Sequence, residues 1–71
     1  MNQINPRKLK ASKWTAAEPR NKEKHFVVTE VEFDEDGAVV LCTLQAVMTK
    51  RESNIDWRDL KESSRWQQGW N

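Results

Sequence analysis

The sequence predicts a small, mainly β domain with a minor helical part, and three observations carry that prediction. Residues 27–33 show a period of two with one mainly apolar face, and residues 38–48 carry an unbroken apolar set on one parity. Between them, "DEDG" ends in Gly37, which can take the positive φ of a tight connection. The chain has 71 residues and one cysteine, so a single compact unit must hold together without an internal disulfide. The expected architecture is an SH3/Tudor-like half-open barrel or a curled antiparallel meander with a short C-terminal helix. Residues 1–71 form one domain, with residues 1–12 as a loosely ordered basic arm.

Taken in order, "NPRKL" offers Asn5 as an N-cap and Pro6 at the first helical position, enough for one turn. Such a turn cannot stand alone, so its order depends on docking Ile4, Leu9 and Trp14 elsewhere. A strand is expected at Trp14. The polar stretch "TAAEPRNKEK" contains Pro19, lacks periodicity and reads as a loop.

The first long strand places Val27, Thr29, Val31 and Phe33 on one parity and Glu30 and Glu32 on the other. Asp34 or Asp36 can bond its own turn. The second strand carries Ala38, Val40, Cys42, Leu44, Ala46 and Met48 on one parity. A loop of residues 34–37 sets Phe33 opposite Ala38, Val31 opposite Val40 and Thr29 opposite Cys42, and a tighter turn at residues 36–37 keeps that parity. On the other parity, Phe26, Val28, Val39, Leu41 and Val47 are also apolar. A long strand that bends, so that its halves serve different walls, accounts for both sets.

After the polar turn "KRESN", Ile55 and Trp57 alternate with Asp56 and Arg58, as in a short third strand. Asp59 followed by Glu62 resembles a capping box, which predicts helical turns over residues 60–66 ended by Gly69.

Charge is distributed unevenly. Residues 1–25 hold seven Lys/Arg against two Glu, residues 26–49 hold five acids and no base, and residues 50–71 hold five bases against four acids. A basic arm lying against an acidic hairpin of the same molecule explains this, and so does a nucleic-acid footprint. No apolar run reaches the roughly 18 residues of a membrane span, and the lone cysteine suits a reducing compartment. A cytoplasmic protein with no membrane partner is therefore expected.

The sequence holds no catalytic set. His25 is the one histidine and Cys42 the one thiol, and Cys42 sits on the apolar parity of a predicted central strand, where thiols are inert packing. The acids around "DEDG" lack the later ligands of a calcium loop and read as a solvated tip. There is no glycine-rich phosphate loop and no zinc ligand set, so no cofactor and no enzymatic activity are expected.

The four tryptophans stand out in a chain without tyrosine. Each can bury roughly 150–250 Å², on the order of 4–6 kcal/mol as an upper bound before entropy is subtracted. Trp14 and Trp57, flanked by polar residues, read as inward-facing strand positions. Trp66 reads as the pin of the short helix, and Trp70, in the polar tail "RWQQGW", as the indole most available to a partner.

The stretches "INPRKLKASKWTA", "KEKHFVVTEVEFDEDG", "LQAVMTKRE" and "DWRDLKESSRWQQGW" resemble a family of small bacterial tryptophan-rich proteins of unknown function. The resemblance spans nearly the whole chain and implies no catalytic residue and no cofactor. The function expected from the residues is non-catalytic binding of a macromolecule, protein in preference to nucleic acid, with Trp66, Trp70 and Arg65 as the C-terminal contact surface. The alternative is single-stranded nucleic-acid binding, with Lys8, Lys10, Lys13, Arg20, Lys22 and Lys24 neutralising phosphates beside an exposed indole.

Overall fold

A computed structural model describes residues 2–70. Five antiparallel strands, β1 (Lys13–Arg20), β2 (Glu23–Phe33), β3 (Val39–Ala46), β4 (Glu52–Asn54) and β5 (Trp66–Gln68), form one open sheet in the order β4-β3-β2-β1-β5. The mainly β class is as predicted. Of the two expected arrangements the sheet takes the meander: β1 to β4 follow one another, β5 returns beside β1, and β4 and β5 remain as separate edges. The chain spans 37 × 25 × 15 Å along its principal axes, and the shortest axis accommodates the sheet and one covering layer.

That layer is built from the two ends of the chain. Asn5 caps a short 3-10 turn, η1 (Pro6–Lys8), by accepting the Arg7 amide at 3.0 Å, as its sequence predicts. Leu9 then enters the core. A second 3-10 turn, η2 (Trp57–Lys61), brings Leu60 into the same cluster with Trp14, Val28, Cys42 and Leu44. Ile4, Ile55, Trp57 and Trp66 pack around it. Asn2 ties the two ends together, its amide side chain donating to the Leu60 carbonyl at 2.9 Å and the Trp66 carbonyl at 2.8 Å.

Four local expectations are corrected. The stretch read as a loop after Trp14 is strand: β1 runs to Arg20, and β2 starts at Glu23 after a two-residue turn. Asn21 and Lys22 both have positive φ, 54° and 63°, the pattern of a type I′ turn, whose twist matches the strands it joins. Pro19, which has no amide proton, falls where the β1–β2 register slips, so it forfeits no regular ladder bond.

The parity of β2 is also revised. Phe26 lies opposite Ala46 and Val28 opposite Leu44, but Val31 lies opposite Cys42, because Thr29 is an extra residue in the ladder. That bulge puts Phe26, Val28 and Val31 on the core face in place of Val27, Thr29 and Val31. A second bulge makes Val40 the extra residue on β3 and sets Phe33 opposite Val39 and Glu32 opposite Leu41, so Val40 is exposed. At the tip itself the prediction holds. The Asp34 carboxylate accepts the amides of Asp36 and Ala38, each at 2.9 Å, and Gly37 has φ +82°.

The third correction concerns Ile55 and Trp57, which are not strand residues. The paired segment is β4, and just beyond it the Ile55 amide donates to the Cys42 carbonyl at 2.9 Å before Trp57 opens η2. The fourth concerns residues 60–66, which form no α-helix. The cap is Asp56, whose side chain accepts the Arg58 amide at 3.0 Å, η2 ends at Lys61, and Trp66 begins a strand. An isolated helix of two turns cannot recover its nucleation cost, whereas residues 66–68 gain a ladder with Ala16, Thr15 and Trp14.

Candidate functional site

Trp14 is 2% exposed and its indole N–H donates to the Ser12 hydroxyl at 2.9 Å. Trp57 packs on the core from η2, with the Lys61 ammonium 4.7 Å from its ring centre. Trp66 and Trp70 lie four positions apart in the chain but on opposite faces of the sheet. Trp66 pairs with Ala16 on the core side and meets Phe26 edge to face, ring centres 5.1 Å apart.

Trp70, 44% exposed, folds over the outer face of β1 and β2. Its indole N–H donates to the Phe26 carbonyl at 2.9 Å, its ring centre lies 5.9 Å from that of His25, and the Lys13 ammonium sits 4.8 Å from it. Beneath this end of the chain Thr15 is buried, donating its hydroxyl to the Gly69 carbonyl at 2.7 Å. Trp70 is thus anchored to the sheet by its polar atom, with Lys13 over its partly exposed ring.

The aromatic pair Phe26–Trp66 floors an open concavity of about 490 Å³, within the size range of ligand sites. Ala16, Glu18 and Arg20 of β1, Glu23 of β2, Arg51 after β3, and Ser64 and Arg65 before β5 complete its lining. Three of the predicted contact residues, Arg20, Arg65 and Trp66, therefore meet here. Lys8 lines a separate hollow with Leu9, Trp14 and Gln68, Lys13 attends Trp70, and Lys10, Lys22 and Lys24 are exposed outside both sites.

Glu23 and Arg51 are the pair that sequence reasoning missed. Glu23 is only 4% exposed, and its carboxylate accepts the Thr49 hydroxyl at 2.5 Å, Arg51 Nε at 3.2 Å and Arg51 Nη2. The Thr49 bond, reinforced by the bonds and charge of Arg51, holds the Glu23 carboxyl below its ordinary value of 4.5 against the opposing effect of burial. No spacing signal links residue 23 to residues 49 and 51, because β2 and the turn after β3 bring them together.

With Glu23 satisfied by Arg51, the remaining charges of the concavity are Arg20 and Arg65 against Glu18. Among the described residues neither Arg20 nor Arg65 forms an ion pair; the recorded pairs are Arg51–Glu23 and Arg58–Asp56. Neither pair joins the basic arm to the acidic hairpin. The site can therefore receive a planar or apolar group on its floor and an anionic group at its rim.

Because the folded pKa of Glu23 is depressed, its contribution to stability is fully present above the unfolded value and is lost as pH falls through the folded one. Glu23→Gln is therefore expected to flatten the fall in stability below about pH 4.5. Asp56, lowered by its bonds from Arg58, retains part of that slope. Urea midpoints measured at successive pH values for the two proteins check this, and parallel profiles would exclude the assignment.

A Cys–His pair does not form. Cys42 is 1% exposed on the core face, and burial, with the nearby Asp56 charge, pushes its thiol above the ordinary range. His25 lies on the outer face beside Trp70. Among the described residues no three His, Cys, Asp or Glu gather as metal ligands, and no helix is long and apolar enough to cross a membrane.

The model of a family described as tryptophan-rich protein (DUF2389), of unknown function, matches residues 12–71. That match takes in all four indoles. The chain belongs to the DUF2389 family. The matched region begins just before β1, so the DUF2389 segment holds the whole sheet, the concavity and Trp70, while η1 and Leu9 lie ahead of it. No curated protein and no solved structure matches the chain.

Proposed function

We propose that this DUF2389 protein is a non-catalytic interaction module that binds a macromolecular partner, a protein in preference to a nucleic acid, through the concavity of Phe26 and Trp66. The observation that carries the reading is the pair of guanidiniums, Arg20 and Arg65, without ion-pair partners among the described residues beside a half-buried indole. Arginine and tryptophan are both among the side chains enriched at binding hot spots. An acidic segment carrying an apolar or aromatic side chain would satisfy both features. A cytoplasmic setting fits the buried free thiol of Cys42.

The preference for protein rests on where the bases lie. Lys13 and Trp70 are on the outer face, Arg20 and Arg65 line a concavity with Trp66 on the core side, and Lys10, Lys22 and Lys24 are apart from both. A phosphate backbone would need a continuous track. Single-strand binding is kept as the second reading because the same arginines flank an indole on which a base could stack.

The experiment compares immobilised wild type with Arg20→Glu/Arg65→Glu as bait for cell extract, alongside titration of both with oligo(dT). A partner retained by wild type is expected to bind the double variant at least about tenfold more weakly. Retention of the same proteins by the variant would remove the concavity from the interface. Quenching of indole emission by oligo(dT) at about 50 mM salt, fading as salt rises, would establish the nucleic-acid reading instead.

A further inference from the structure

The strand edges of the sheet are treated very differently by the chain. Along β5, Asn2 bonds the Trp66 carbonyl at 2.8 Å and the Gln68 side chain bonds the Gln3 carbonyl at 2.7 Å, so the N-terminal arm covers that side. The β4 edge is short and polar, reading Glu52, Ser53 and Asn54, which is a common way to blunt a free edge. The remaining edge is apolar and open. β4 pairs only with residues 43–45 of β3, and at Ile55 the chain leaves the sheet for η2, so no strand lies beyond residues 39–41.

We propose that this part of β3 is a docking site for an extended, basic segment of another protein, which lies along residues 39–41 in line with β4. A groove of about 490 Å³ lies at this edge, lined by Val39, Val40 and Leu41 of β3 and by Ile55, Trp57 and Arg58. Val40, pushed out of the ladder as the extra residue of its bulge, is 61% exposed at the lip. Its exposure has no role in the core of this chain. Main-chain pairing with an edge strand, with pockets for alternate side chains, is a recurring way of holding an extended peptide.

The sign of the partner's charge follows from the hairpin tip at the end of the groove. Asp34, Glu35 and Asp36, with Glu30 and Glu32 behind them on β2, form no ion pair among the described residues. Within residues 26–49 there is no base to offset them, and Arg58 of the groove is paired with Asp56. A cationic segment is steered to this end and an anionic one repelled. The same five acids on both sides weigh against a second copy of the chain as the occupant. At about 3.3 Å per residue the free edge admits only three to four residues, so binding is weak and salt-sensitive.

The test is an amide-resolved NMR titration of the full chain with acetyl-KVTVK-amide and, separately, acetyl-EVTVE-amide. Saturable shifts are expected at residues 39–41 and 55–58 with the lysine peptide, with the glutamate peptide about tenfold weaker or silent. Val40→Lys is expected to abolish the shifts and Val40→Glu to keep or strengthen them, and because residue 40 is exposed both variants should fold. Arg20→Glu/Arg65→Glu should leave them unchanged, which separates this edge from the concavity. Equal binding of the two peptides, shifts confined to the concavity, or none at several millimolar peptide would overturn the proposal. So would concentration-dependent broadening of the edge amides without peptide, which would make a second copy the occupant.

Discussion

Trp14→Ala is expected to remove about half of the stability of the domain. The indole is 2% exposed, sits among Leu9, Val28 and Leu60, and is held by a hydrogen bond to Ser12, whose hydroxyl donates in turn to the Leu9 carbonyl at 2.5 Å. Removing a buried tryptophan costs roughly 3–5 kcal/mol in transfer and cavity terms. A chain of this length has only roughly 4–10 kcal/mol of stability to lose. Trp14→Phe, which fills much of the volume but leaves Ser12 without its donor, is expected to lie between the two. Urea unfolding followed by far-UV circular dichroism measures both. A loss under about 1 kcal/mol for the alanine variant would mean that Trp14 does not organise the core.

Leu60→Ala is the second large effect, expected at roughly 2–5 kcal/mol with a local signature. Leu60 is the fully buried residue of η2, and the backbone around it is where Asn2 fastens the N-terminal arm. The arm also bonds the Trp66 carbonyl, so loosening η2 is expected to speed amide exchange in residues 66–69 and to shift indole emission to the red. Met48→Ala, at an exposed turn position, is the control and is expected within about 0.5 kcal/mol of wild type. If exchange rises uniformly through the sheet, the two chain ends do not form a separable layer.

Much of the fold was legible where the signal is local. The turn capped by Asn5, the Asp34 to Gly37 tip and the burial of Cys42, Leu44 and Ala46 depend on residues within a few positions of one another. The strand reaching Arg20 was not legible, since "AAEPRNK" has little β propensity and gains its order from pairing with Glu23 to Val27. The concavity was half legible. Arg20, Arg65 and Trp66 stand out by residue type, but Glu23 and Arg51 become partners only through the crossing of β2 with the turn after β3.

The mainly β class, the central hairpin, the burial of Trp14 and membership of a tryptophan-rich family follow from the residues alone, because each rests on a short pattern or on the inventory of side chains. The tertiary structure alone decided which face each β2 residue takes, since one extra residue at Thr29 inverts the parity that a strict period of two assumes. It also decided the course of residues 57–70. Two turns of helix could not recover their nucleation cost, and a ladder with a strand some fifty positions away, together with the burial of Leu60, made the more stable arrangement. The opposite placement of Trp66 and Trp70 follows from that choice.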